Sequence, residues 1–453
     1  MKIADRHPVS GRHEGWVSCG LLLLMLIAYN ANGREIGSYD TRPTELAARE
    51  LVLRGTLALN HVVGATPAYA DRWGILLARD GRYRSVYSPL PAVAAATLTW
   101  PFWKFGLIDI NAPLAPRVMA VATASLFVGL AVVFSYRSAR LWIGRGRALV
   151  LSIGLGLGTG LWSSASQTLW QTETAVLGLA CALFGFSHEP RSGRKWTLLV
   201  GLGLSLALLA RPQLGPAIVV LIAGTYWRWG FRHAAIVCLI VSTALVPWLA
   251  FNWRWFGHPL GALPLLEGVN ASLHLTGRTF GLNPEAWAGL LISPNRGILV
   301  FSPVVLVALA GVVPGIRRGA REPFLWCAAA MGAEYALYAC YSVWWGGHTY
   351  GPRYLTDVLP LAVPLAALTL EPVRLHRGLI VAGASALVWS MIVAGTGAFF
   401  YPNDAWNTDP DDIDRNHARL WSVADNQIVR CWHAGPSPQN FDLFTRAAVR
   451  QVE

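Results

Sequence analysis

The feature that most constrains this chain is a series of apolar runs, each about long enough to cross a membrane as a helix. Roughly 20 apolar residues at 1.5 Å per residue span the ~30 Å hydrocarbon layer. Eleven such runs lie at about 16–32, 116–136, 148–164, 173–187, 196–210, 213–229, 234–251, 298–315, 323–343, 355–371 and 378–400. The rest of the composition agrees. Of 453 residues, 54% are hydrophobic and only 14% charged, against about 25% charged in a soluble domain. That excludes disorder, a coiled coil and an ordinary soluble enzyme. The formal charge of +12 does not point to nucleic acid. Its Lys and Arg residues fall in short clusters between apolar runs, as in cytoplasmic loops, and not on a basic face interleaved with aromatics. The 21 Trp suit membrane interfaces. The predicted class is an all-α polytopic membrane protein of about eleven transmembrane helices.

A twelfth run, 88–107, begins Ser88-Pro89-Leu90-Pro91 and contains Pro101 and Lys104. Parity decides it. Basic clusters occur at Lys2/Arg6/Arg12, Arg137/Arg140/Arg145/Arg147, Arg191/Arg194/Lys195, Arg228/Arg232, Arg317/Arg318/Arg321 and Arg374/Arg377. If 88–107 does not cross, all six share the cytoplasmic side; if it crosses, the first lies opposite the other five. The positive-inside rule therefore makes it a re-entrant or interfacial segment on the outer face. The N-terminus is then cytoplasmic, the C-terminus outside, and the large outer segments are about 33–115, 252–297 and 401–453. The chain divides into a transmembrane domain, 1–400, and a small outer cap, 401–453. The latter carries Asp409, Asp411, Asp412 and Asp414.

Within 33–115, Glu45–Arg54 has apolar residues at three- and four-residue spacing, which predicts a surface-lying amphipathic helix capped by Gly55. Gly154–Gly160 looks like a nucleotide loop. It lies inside an apolar run with no preceding strand, so helix packing explains it better. Asn270-Ala271-Ser272 fits a glycosylation acceptor by chance-level pattern only. The cysteines show no zinc spacing. A Cys340–Cys431 bridge stays open if both face an oxidising compartment.

Polar residues at the outer helix ends carry the functional signal. Asp40 follows the first run directly, and reads either as a helix N-cap or as a general base. Glu173 lies at the hairpin between the third and fourth runs, as a dipole-stabilised first-turn acid or a second catalytic carboxylate. Arg211, Arg296, His348, Tyr350 and Arg353 lie at outer ends. The cations there run against the positive-inside trend, so they are candidates for holding a phosphate; snorkelling towards headgroups is the simpler account. Glu334 sits mid-run, where a carboxylate is costly and functional by default, or structural and hydrogen-bonded.

Three segments carry a family resemblance: Tyr39-Asp40-Thr41; Ser293-Pro294-Asn295-Arg296-Gly297 with Phe301-Ser302-Pro303; and Trp345 to Tyr354, reading WGGHTYGPRY. With the overall architecture, they resemble the GT-C superfamily of membrane glycosyltransferases of the protein-mannosyltransferase and aminoarabinose-transferase type. The resemblance implies juxtamembrane helices on the outer face and a polyprenyl-phosphate sugar as donor. It implies Asp40 as base with Glu173 as helper, and Arg211, Arg296 and Arg353, with His348, around the lipid phosphate. Asp-Thr stands at Asp40-Thr41 where the family commonly has two acids, so no metal site of adjacent acids is expected, although some members use a divalent metal. The expected partners are that donor, membrane lipids and an acceptor glycan, lipid or protein, at a bacterial inner membrane. The competing expectation is a transporter or flippase of lipid-linked sugars. It would call for polar residues at mid-membrane depth, as Glu334 offers, and for repeat-related halves, which are not evident.

Overall fold

The computed structural model describes residues 11–70, 74–188, 194–262, 279–371 and 376–449. In chain order come α1 Arg12–Asn30, α2 Arg42–Arg54, α3 Asn60–Ala65, the hairpin β1 Ile75–Leu77 and β2 Tyr83–Ser85, then α4 Pro89–Lys104 and α5 Ala115–Ala139. They are followed by α6 Arg145–Leu157, α7 Thr172–Phe186, α8 Arg194–Ala210, α9 Gly215–Trp229 and α10 Phe231–Phe256. Beyond α10 the main helices are Pro284–Ile292, Pro323–Ala339, Ala362–Leu370, Arg377–Phe399, Gln427–Ala434 and Asp442–Val449.

Among the described residues, three helices are long and apolar enough to cross a membrane: Ala115–Ala139, Phe231–Phe256 and Arg377–Phe399. Other apolar runs are interrupted, and the sequence shows why. The 148–164 run breaks after α6 at Gly158-Thr159-Gly160 and resumes as a π turn, Leu161–Ala165. The 298–315 run breaks at Pro303 and Gly311. An unbroken apolar run is therefore not always one unbroken helix. Glycine also lets helices touch. A Cβ added at Gly178 or Gly203 would lie 2.6 Å from the backbone of the facing helix, so α7 and α8 pack at small-residue contact.

Contacts define two ends. At one end Glu14 of α1 meets Arg140 and Arg145 at 3.1 and 2.9 Å. There Arg147 donates to the Leu370 carbonyl, and Arg228 to that of Arg321. At the other end Arg117 lies 3.5 Å from Glu35, and Ser88 donates to the Leu209 carbonyl. The segment holding α4 begins and returns at this second end: Ser88 is tied to α8, and the Ile110 carbonyl accepts from Arg49 of α2.

A small second core joins α2, α3, α4 and the start of α5 through Leu46, Ala48, Val52, Leu59, Ala95 and Ala120. It corrects the picture of α2 lying on a surface. The helix ends at Gly55 in the left-handed region, φ 64°, but eight of its 13 residues are buried, Glu45 and Glu50 among them. The covering layer of α4 accounts for the difference. The hairpin is docked on the tip of α10, where Arg79 N–H donates to the Trp255 carbonyl. In the tail, Trp406, Ile413 and Leu420 pack into the main core. Cys340 and Cys431 are both free thiols, with Cys431 buried, so the bridge left open by the sequence is not formed. Asn270 and its neighbours lie outside the described residues.

Candidate functional site

Asp40 stands one residue before Thr41, the N-cap position of α2, so it is not itself the cap. Its carboxylate is bracketed. Tyr87 donates its hydroxyl to Oδ1 at 2.7 Å, and Arg353 Nη1 lies 3.5 Å from Oδ2. The Asp40 side chain is still 46% exposed, open to an incoming hydroxyl. Arg353 is fixed from beneath by Trp170, whose ring lies 4.8 Å from the guanidinium carbon. The chain reaches this position through tight turns: Gly346, Gly347 and Gly351 all have positive φ, and a Cβ on Gly351 would come within 2.7 Å of the Phe301 ring.

Arg353 also lines a cavity of about 270 Å³ including its open mouth. Its other walls carry Ser163, Ser164, Ser302 and Thr356, the Tyr350 ring and apolar residues of Arg377–Phe399. The Tyr350 hydroxyl is turned away and donates to the Val393 carbonyl at 2.9 Å. One cation and a set of hydroxyls above an apolar flank suit a phosphate attached to a hydrocarbon chain.

The other cations lie elsewhere. Arg296 is 1% exposed. It donates to the Asn295, Trp345 and Gly347 carbonyls, Gln427 Oε1 and Asn407 Oδ1, so it fastens the glycine-rich loop to the tail. Burial pulls its pKa down to about 10, still charged at neutral pH. Arg211 is buried, 2.9 Å from Asp357 Oδ2, and donates to Thr172 and Tyr338. His348 Nε2 turns to Asp412 Oδ1 and Asp414 Oδ2, at 3.0 and 3.7 Å. Of the five residues expected around the phosphate, Arg353 and the Tyr350 ring line the cavity; Arg211, Arg296 and His348 are committed to other partners.

Glu173 is fully buried in the first turn of α7 and accepts from Thr174 at 3.0 Å; neither it nor Asp40 is among the residues lining the cavity beside Arg353. The expected facing pair of carboxylates is not brought together. Glu334 and Asp357 are also fully buried, close enough to interact with each other and with Arg211. Neither Glu334 oxygen has a hydrogen-bond partner among the described residues.

Several partners escape sequence reasoning. Tyr87 is 47 residues from Asp40 and nothing local links them. Asp357 sits inside an apolar run, as Glu334 does, where a carboxylate is equally costly. Glu35 and Glu45 meet at Thr168, whose Oγ1 lies 2.7 Å from one carboxyl and 3.1 Å from the other. Burial, then the nearby Glu45, push the Glu35 carboxyl well above its ordinary 4.5.

The residues around Asp40 do not fit a divalent cation, because the carboxylate is bracketed by a guanidinium and a phenol. Among the described residues one group offers three ligand atoms within 4.8 Å of one another, His348, Asp412 and Asp414, on the exposed rim of the tail.

No family model matches the chain, and no curated protein sequence matches it. Solved structures do. The apo oligosaccharyltransferase of Archaeoglobus fulgidus aligns over 92% of this chain with TM-score 0.50 and 11% identity, and apo ArnT of Cupriavidus metallidurans over 88% with TM-score 0.49 and 18% identity. The chain spans 61% and 66% of those proteins' own lengths. At these identities the likeness is one of fold alone.

Proposed function

We propose that the protein is a GT-C-like glycosyltransferase, moving a sugar from a polyprenyl-phosphate donor to an acceptor hydroxyl or amine at the outer face of a bacterial inner membrane. The observation that carries this reading is the half-exposed Asp40, held by Tyr87 and placed 3.5 Å from Arg353, which itself lines a hydroxyl-bearing cavity. The donor phosphate sits against Arg353 and the Ser163, Ser302 and Thr356 hydroxyls. The acceptor oxygen attacks the anomeric carbon and gives its proton to Asp40. The bond from that carbon to the phosphate oxygen breaks, and Arg353 stabilises the leaving polyprenyl phosphate.

The proposed topology has about eleven spans, 88–107 remaining on the outer side, with 1–400 as the membrane domain and 401–453 as its outer cap. The gathering of Arg140, Arg145, Arg147, Arg228 and Arg318 at the end opposite Asp40 supports it. Glu173 is left as a buried acid supporting α7.

Mass spectrometry of envelope glycans and glycoproteins tests the activity, comparing a deletion strain carrying the wild-type chain with one carrying Asp40→Asn. The expected result is a hexose or pentose modification that the wild type restores and Asp40→Asn does not, at equal membrane abundance. Restoration by Asp40→Asn removes the base role. The buried Glu334, Asp357 and Arg211 group favours a second reading, a lipid-linked-sugar transporter. That reading requires Asp40→Asn to leave the glycans unchanged while Glu334→Gln alters them.

A further inference from the structure

The rim of the tail holds a group of side chains that the transfer chemistry leaves unused. His348 Nε2 lies 3.0 Å from Asp412 Oδ1 and 3.7 Å from Asp414 Oδ2, and the three ligand atoms fall within 4.8 Å of one another. We propose that His348, Asp412 and Asp414 bind a divalent transition-metal ion, best fitted by Zn²⁺, which clips the glycine-rich loop carrying Arg353 to the tail. The site is separate from Asp40 and does not depend on the glycosyl-transfer reading.

Four observations carry it. The first is spacing. Zn²⁺ sits about 2.0–2.2 Å from nitrogen and oxygen ligands, which places neighbouring ligand atoms of a tetrahedron about 3.3–3.6 Å apart. The two distances from His348 bracket that range. The second is the donor set. Carboxylates alone suit Mg²⁺ or Ca²⁺, whereas an imidazole among them favours zinc. A neutral imidazole and two carboxylates balance a charge of +2 and leave the fourth position to water. The third is the support around the ligands. Asp414 turns only Oδ2 to the imidazole; its Oδ1 accepts from Trp345 Nε1 at 2.7 Å, and Trp345 is 5% exposed. A ligating carboxylate held by a buried donor is the common outer shell of a metal site. An ion pair of His348 with Asp412 accounts for the 3.0 Å contact but not for a second carboxylate pinned beside it. The fourth is that both arms are fixed independently of any ion. Arg296 donates to the Trp345 and Gly347 carbonyls, and Arg419 to those of Asp409 and Asp411. Both guanidinium carbons lie over the Trp406 ring, 5.0 and 4.7 Å from its centre. Ligands brought together from 64 residues apart are thereby preorganised, which lowers the ordering cost of binding.

The test uses the full chain purified in detergent through a tag without histidine, stripped with EDTA and titrated with zinc chloride by isothermal calorimetry. One equivalent should bind. His348→Gln and Asp414→Asn should each weaken binding about tenfold or more, and Trp345→Phe, which touches no metal, about tenfold. Zn²⁺ should raise the melting temperature of the wild type and leave that of His348→Gln unchanged. His348 is 40% exposed, so its substitution keeps the test open if Asp414→Asn does not fold. No zinc binding, or zinc bound equally by the wild type and His348→Gln, overturns the proposal. Preferential binding of Ca²⁺ that His348→Gln does not alter overturns it as well, because the imidazole would then be no ligand.

Discussion

At Asp40 two side chains from separate segments hold the carboxylate, and each has a separable contribution. Tyr87 aims the carboxylate through a single 2.7 Å hydrogen bond. Tyr87→Phe should lower kcat about tenfold, within the range for a misplaced general base, with KM for the donor unchanged. Arg353→Ala should cost more, about 100-fold in kcat/KM, because it removes the cation facing the leaving phosphate; Arg353→Lys should recover part of this. Both are measured with a radiolabelled polyprenyl-phosphate sugar. Glu35 gives a prediction in pH. Its folded pKa is raised above its ordinary 4.5 by burial and by Glu45, so the folded state holds a proton that the unfolded chain has lost. That stability is complete below about pH 4.5 and is lost as pH rises towards the folded value. The melting temperature in detergent should therefore fall as the pH rises above about 4.5, and Glu35→Gln should flatten that slope. Asp40 was legible because a carboxylate directly after an apolar run has few structural reasons to be there. Tyr87 and Glu35 were not, since burial and long-range contact give each its role.

At the scale of elements, periodicity predicted α2 and its glycine cap, yet it described a surface helix where the structure has one covered by α4 and packed around its own small core. An amphipathic pattern shows which face meets apolar neighbours; it does not show whether something also covers the polar one. Similarly, the length of an apolar run was a good guide to where helices occur and a poor guide to their continuity, because Gly158, Pro303 and Gly311 divide runs that read as single spans. The Arg296 loop is the sharpest case. Its Ser-Pro-Asn-Arg-Gly motif reads as a phosphate ligand, whereas the side chain holds the 345–347 carbonyls to Asn407 and Gln427. Arg296→Met leaves those buried acceptors unpaired, at about 1–3 kcal/mol. The expected outcome is a lower melting temperature and rapid tryptic cleavage in the tail, at Arg415 or Arg419, while helices outside the tail stay protected. Unchanged tail protection would return Arg296 to the list of ligand-binding candidates.

For the whole molecule, the physical question is where the apolar surface goes. Only 17% of the apolar stretch in Phe231–Phe256, and of that in Arg377–Phe399, is buried within the protein, and side chains such as Leu239, Val246, Leu379 and Val388 are exposed. So much uncovered apolar surface is not sustained in water, which supports lipid as its solvent. The orientation then depends on the segment holding α4. It starts beside α8 at Ser88 and returns to α2 at Ile110. The 16-residue helix rises about 24 Å, and the six steps from Lys104 to Ile110 can reach at most about 21 Å, so a crossing and return is out of reach across a ~30 Å layer. Single cysteines in a chain stripped of its six native ones settle this. Tyr39→Cys, Asn111→Cys and Arg318→Cys are each placed at exposed positions and treated with a membrane-impermeant maleimide in cells with a permeabilised outer membrane. The first two should label at once and the third only after lysis. Labelling at 111 but not at 39 would mean that 88–107 crosses, and Asp40 could no longer share a side with the tail.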